Sequence, residues 1–390
     1  MTKANMASSD PVRVGVLFSE TGDISTTEIS QLMGTRFAVD KINAAGGICG
    51  REMQIVHYDP QSSPGQYRVL VEQLILRDKI NVIFGCYLSS TRKAVLPIVE
   101  KWNKLLFYPT LYEGFECSSN VIYTGAAPNQ NSLQLAEFMT FNYGPRVYLV
   151  GSDYIYPYES NRIMENLVCQ LPGGGKVGER YVPLGAEYEH FKSIIDDIKN
   201  VKPDFIFSTV VGNSTKYLYQ AYADAGLNPR IMPIASLTTL EAEVNQMGAG
   251  VANGHISSAP YFQTVDREAN HKCLDEFRYM YGNEFCPNAG WEAAYFQVNL
   301  FAQAMALAGS DSIDELMPYL LGSEFEAPQG RVRVDPTNHH TCLYPRIGIF
   351  NSEFGQFEII RQAKRAINPD PYLISHSLGE WSLRHNTVDG

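Results

Sequence analysis

Short apolar runs alternate with longer stretches of mixed polarity along most of the chain. Residues 12–19 (VRVGVLFS), 53–57, 82–85, 105–108 and 121–123 are compact hydrophobic runs, as buried parallel strands are. Between them, residues 31–44, 67–77 and 92–101 space their apolar residues as helices do, and Gly46 and Gly47 stop the first. A Pro- and Asn-rich interruption over 124–131 (TGAAPNQN) follows, and then the pattern restarts. Helices are predicted over 132–142, 161–170, 191–200 and 216–225, and strands over 146–151, 180–183, 204–210, 231–235 and 254–261. Residues 270–281 and 291–309 read as long amphipathic helices. Residues 331–335, 346–350 and 357–360 read as short strands, the last two a hairpin turning at Gly355. Strand alternating with helix, twice over, predicts an α/β fold of two doubly wound lobes. A chain of 390 residues is in any case long for one core.

The stretch 81–116 concentrates the candidate chemistry. Its two strands each run into a polar cluster: Tyr87, Ser89, Ser90 and Thr91 after the first, Thr110 and Tyr112 after the second, with Tyr108 closing the second strand. In an open parallel sheet these carboxyl ends lie side by side, where ligands bind. Tyr154 and Tyr156 follow the strand 146–151 in an aromatic loop (SDYIYPYES) and share a side if that loop is extended. Helix capping is the competing reading for Ser89 to Thr91, and rim packing for the tyrosines. Hydroxyls without a nearby charge suit a neutral ligand: an amide offers two N–H donors and one carbonyl and needs no counter-ion.

Other chemistries find less footing. No G-x-G-x-x-G follows a predicted strand, no G-x-x-x-x-G-K-[ST] is present, and Gly173 to Gly175 lead into no helix, so no nucleotide cofactor is expected. His339 and His340 are adjacent and the other histidines scattered, so no metal is expected. Cys86 is the one thiol near the polar clusters, but nothing beside it would lower its pKa, and an enzyme is not expected. The seven cysteines form no C-x-x-C pair and read as free thiols. A net charge of −11 opposes direct nucleic-acid binding. The first residues, MTKANMASSD, lack the apolar core of a secretory signal, and no stretch is long and apolar enough to span a membrane; a cytoplasmic location is the expectation.

The strings FSETG, INAAGG, FGCYLSSTRKAVLPIVE, LLFYPTLYEGFE, GAAPNQN, GSDYIYP, STVVG, SLTTLEAEV, APYF, EAAYFQ and APQGRVRV together resemble the AmiC family of amide sensors, which negatively regulate aliphatic amidase operons. They are similar also to the urea and short-chain-amide binding proteins of ABC transporters. The resemblance implies a type I periplasmic-binding-protein fold, two doubly wound parallel-sheet lobes joined by three crossovers. Lobe 1 would take residues 10–126 and 259–328, lobe 2 residues 127–258 and 329–372, leaving 373–390 as a tail. It implies ligand contacts at Tyr87, Ser89, Tyr108, Thr110, Tyr154 and Tyr156, and a cytoplasmic sensor that sequesters an RNA-binding antitermination regulator until a short-chain amide binds. The alternative is an ABC-transporter receptor for short-chain amides or urea. Leu111 departs from the sensor family, which has Pro there, as do Leu88 and Ser90. Aromatic residues on 291–309 leave open a contact with a second copy of the chain.

Overall fold

A computed structural model describes residues 10–374; the expectations for the amino terminus before residue 10 and for most of the tail, 375–390, lie outside the described residues. The chain opens with β1 (Val12–Leu17), α1 (Ser25–Ala44), β2 (Met53–His57), α2 (Pro64–Leu76), β3 (Val82–Gly85), α3 (Ser89–Lys101), β4 (Leu105–Tyr108) and β5 (Val121–Tyr123). These strands form one parallel sheet in the order β2-β1-β3-β4-β5. Strands β3, β4 and β5 are buried on both faces because helices cover both, which is why their runs read as continuous rather than alternating. On one face Tyr67, Val71 and Val95 of α2 and α3 pack on Leu17, Ile83 and Leu106.

A short 3-10 turn, Pro128–Gln130, carries the chain into the second lobe. There follow α4 (Ser132–Asn142), β6 (Arg146–Ser152), α5 (Ile155–Val168), β7 (Gly175–Val182), α6 (Tyr188–Val201), β8 (Phe205–Thr209), α7 (Thr215–Asp224), β9 (Ile234–Ser236), α8 (Glu241–Met247), α9 (Ala249–Ala252) and β10 (Ile256–Ala259). The chain then returns to the first sheet as α10 (Glu268–Tyr281), α11 (Ala289–Ala308) and α12 (Ile313–Leu320). Phe37 of α1 stacks on Trp291 and Tyr295 of α11, and both helices close the remaining face over Val14, Val16, Phe84 and Phe107. A small sheet of β11 (Glu324–Ala327), β12 (Gly330–Val334) and β13 (Thr341–Cys342) leads back to β14 (Arg346–Asn351) and β15 (Gln356–Gln362). The second large sheet runs β15-β14-β10-β9-β8-β6-β7, parallel except for the antiparallel β14 and β15. The hairpin at Gly355 is present.

Three departures from the sequence reading bear on the site. α1 starts at Ser25, six residues early, and buries Thr27, Glu28, Ser30, Gln31 and Thr35, whose polarity hides its inner face. α5 starts at Ile155, so Tyr156 lies in a helical first turn and not in an extended loop. Pro157 is tolerated there because the first N–H groups of a helix have no intrahelical acceptor to lose. On α11, Trp291 is fully buried beside Phe37, which removes it as a contact for a second copy.

Candidate functional site

The carboxyl ends of β3 and β4 meet those of β6 and β9 across the cleft between the lobes. The turn out of β3 passes through Cys86 at a φ of 71°, a left-handed conformation that an L-residue with a side chain adopts only when its surroundings hold it. It turns Tyr87 into the cleft. A cavity of about 10 Å3 lies there, lined by Tyr87, Ser89, Thr110, Leu111, Tyr154, Tyr156 and Thr238. That is room for roughly one water-sized group in the closed arrangement seen here. Five of the six residues singled out from the sequence therefore share one cavity. Tyr108 is not in its wall: its hydroxyl donates to the Tyr87 carbonyl at 2.7 Å and its ring lies under the Arg92 guanidinium, 4.8 Å from the ring centre, so it holds Tyr87 from behind.

The hydroxyls differ in what they have left to give. Thr110 donates to the Cys86 carbonyl at 3.2 Å and accepts from Gln31 Nε2 at 2.8 Å. Ser89 does not cap α3, whose N-cap is Leu88 with no side-chain cap bond. Its hydroxyl donates to Glu113 Oε2 and accepts from Arg92 at 3.2 Å, which leaves it one lone pair. The expectation of a site remote from any charge is corrected here. Arg92 is fully buried and ion-paired to Glu113 at 3.3 Å and Glu116 at 2.8 Å, directly behind Ser89. Burial pushes the Glu116 carboxyl up, yet the charge and hydrogen bond of Arg92 outweigh it and hold the group below the usual carboxylate range. None of these ions reaches the cavity wall.

The Tyr156 hydroxyl is buried and meets no partner in good hydrogen-bond geometry, with the Ser160 hydroxyl the one protein group near enough to interact with it favourably. Tyr154 precedes α5 in extended conformation, and its ring centre lies 6.2 Å from that of Tyr156. Burial pushes the phenols of Tyr87, Tyr154 and Tyr156 far above their ordinary value, so all three stay protonated and uncharged. The Cys86 thiol is pushed up too, by burial and by Glu28, which leaves no thiolate for nucleophilic chemistry.

Behind the first cavity lies a second of about 40 Å3, reaching the chain crossings between the lobes at Thr124 to Ala126, Ser258 to Pro260 and Gln329. Those crossings are pinned together. Arg346 donates to the carbonyls of Pro260 and, at 2.9 Å, Gln329, while Glu292 of α11 accepts from the Gln329 side chain at 2.7 Å. The sequence reading named neither Thr238 nor Gln31 as a site residue. Thr238 had the same signal as the others, a hydroxyl at a strand exit, whereas Gln31 sits inside a helix where nothing sets it apart.

The lobes are shut. Thr27 of α1 donates to Glu243 of α8 at 2.6 Å, and the Asn213 N–H of lobe 2 donates to the Asp23 carbonyl of lobe 1 at 3.0 Å. Ile24, Tyr87 and Leu88 pack on Tyr156 and Val211 across the cleft. Among the described residues no group of His, Cys, Asp and Glu is placed to hold a metal, and no helix is long and apolar enough to cross a membrane.

Two α/β lobes on pinned crossings, closed over an uncharged cavity, define a binding protein of the two-lobed, hinge-closing class. The chain belongs to the periplasmic binding protein domain family, whose profile matches residues 12–378. Among its relatives, Leu/Ile/Val-binding protein homolog 6 of Brucella abortus is 24% identical over 349 residues, covering 86% of this chain and 87% of the relative. A solute binding protein of an ABC transporter from Rhodopseudomonas palustris, solved with p-hydroxybenzoic acid, has the same fold, with a TM-score of 0.83 at 20% identity over 94% of this chain and 100% of its own. So has the branched-chain amino acid transporter substrate binding protein LivJ from Streptococcus pneumoniae, solved with isoleucine: TM-score 0.77, 20% identity, 92% and 100% coverage.

Proposed function

We propose that this protein is a solute receptor for a short-chain aliphatic amide or urea, of the kind that hands its cargo to an ABC transporter. The observation behind the ligand class is the composition of the cavity walls: hydroxyls, the side-chain amides of Gln31, Asn131, Asn288 and Gln329, and aliphatic groups, with no charged side chain in either cavity. Benzoates and amino acids carry a carboxylate, and burying one without a cation partner is expensive. A neutral amide meets the same walls with both a donor and an acceptor. The reading is of a binder: the Cys86 thiol, which lies outside both cavity walls, is pushed up by burial. The delivery role draws on the two solved proteins named above, described as a solute binding protein of an ABC transporter and a transporter substrate binding protein.

The resemblance to the AmiC family carries a second reading, a cytoplasmic sensor that sequesters an antitermination regulator. In that case the amide and the regulator must prefer different lobe angles, because a ligand with equal affinity for both would shift nothing. With a ceiling of about 1.5 kcal/mol per heavy atom, the smallest amides bind with at most about 6 kcal/mol. That corresponds to dissociation constants of roughly tens of micromolar or weaker. Calorimetric titration with acetamide, propionamide, butyramide and urea tests the ligand class. Heat from at least one at such concentrations is expected, and none from any of the four overturns it.

A further inference from the structure

The two cavities share four wall residues, Tyr87, Thr110, Leu111 and Thr238, so they are compartments of one slot with Leu111 at the boundary. The inner compartment, about 40 Å3, has room for roughly three water-sized groups. Part of its wall is aliphatic, from Leu111, Ala126, Leu237, Leu240, Ala259 and Ala293, and part carries amides, from Gln31, Asn131, Asn288 and Gln329, of which Gln31 is the one with a buried acceptor left unpartnered. Fully buried on α1, Gln31 donates Nε2 to Thr110 Oγ1 at 2.8 Å and to the Pro109 carbonyl at 3.4 Å. Thr110 spends its only proton on the Cys86 carbonyl, so both groups facing Gln31 Nε2 can only accept. The amide therefore cannot be turned over. Its Oε1 is a buried acceptor with no partner in the protein, and an acceptor sealed in that state costs stability.

We infer that the inner compartment is the second half of the ligand site, and that it takes a short carbon tail ending in a hydroxyl, whose proton Gln31 Oε1 accepts. The inference rests on the neutral-amide reading of the outer cavity. The ligand class is then a hydroxyalkyl amide: head at Tyr156, carbon chain past Leu111, hydroxyl at Gln31. A plain alkyl tail of the same length fills the same space but leaves Oε1 unmet.

Butyramide and 3-hydroxypropionamide are a matched pair, equal in chain and heavy-atom count, with a methyl in one where the other has a hydroxyl. In calorimetric titrations of the full chain, 3-hydroxypropionamide is expected to bind about tenfold tighter or more. Gln31→Met should bring that ratio close to one. Because this change also removes a donor from Thr110, Ala293→Leu serves as the second variant; it fills the compartment from α11 and should weaken 3-hydroxypropionamide about tenfold relative to acetamide. Thermal melts establish that each variant is folded. Equal or tighter binding of butyramide by the unaltered chain, or a hydroxyl preference that survives both substitutions, overturns the inference and assigns Gln31 Oε1 to a resident water. Absence of heat from acetamide and from both probes fails the neutral-amide reading itself and takes the inference with it. Binding of acetamide but of neither longer probe overturns the inference alone.

Discussion

Tyr156 has opposite consequences for stability and for binding. Its hydroxyl is buried with only a poorly placed Ser160 hydroxyl beside it, so Tyr156→Phe removes a poorly met polar group and should leave the melting temperature unchanged or slightly raised. The same substitution removes the group best placed to meet an amide head, and affinity for acetamide should fall by about 0.5–1.5 kcal/mol, a few-fold to tenfold. Calorimetry and thermal melts on one variant read both signs. Arg92 makes the contrary case. It is buried against two carboxylates, and while Glu116 keeps Lys93, Arg92→Met leaves Glu113 buried without a cation and should cost about 3–5 kcal/mol in denaturant unfolding. Tyr87, Ser89, Thr110, Tyr154 and Tyr156 were legible from the sequence because each follows an apolar run closely enough for its strand's carboxyl end to place it. The ions behind Ser89 were not, since Glu113 and Glu116 come from a loop whose path depends on tertiary packing. Gln31 was hidden for a related reason: a polar residue on the buried face of a helix looks like one on the exposed face until the face is known.

The amino-terminal turn of α1 works as the seat on which lobe 2 closes. Gly212 has a φ of 63°, and a Cβ there would stand 2.4 Å from the Asp23 carbonyl of the opposite lobe. Gly212→Ala should therefore hold the lobes apart even in the presence of ligand. Small-angle scattering should show no contraction on adding acetamide, and affinity should fall at least about tenfold, in line with the roughly 1–3 kcal/mol typical of such local strain. A normal contraction in this variant would show that closure does not use this seat. The two helices that enter the cleft, α1 and α5, start six residues before their predicted bounds, further than any other helix the sequence predicts. Their first two turns carry Thr27, Gln31 and Tyr156, residues chosen by what they face and not by helical period. Strands β2 to β5 and helix α4, whose residues are chosen by burial, match their predicted bounds.

Taken over the whole molecule, buried ionisable groups set a definite pH profile. Burial pushes Glu28 and Glu292 up to about 7 and Glu241 up to about 8, so the folded protein holds protons that the unfolded chain, near 4.5, has released. Where the native state binds more protons, stability falls as pH rises, and these three act between about 4.5 and 8. His255 and His340 act in the other sense. Burial lowers them to about 3 and about 4 from 6.5, so they add stability as pH climbs to 6.5 and nothing beyond it. The two sets oppose each other below 6.5, and the carboxylates act alone above it. Calorimetric melting temperatures should decline from pH 6.5 to pH 8; a rise over that interval would mean that the glutamates are ionised and paired in the fold.

Acetamide and acetate have nearly the same shape and differ in charge, so titrating both into the protein at pH 7 tests the uncharged site most directly. Acetamide should bind with a dissociation constant of roughly tens of micromolar or weaker, and acetate should give no measurable heat. Acetate binding as tightly as acetamide would contradict a site built from hydroxyls, side-chain amides and aliphatic groups alone.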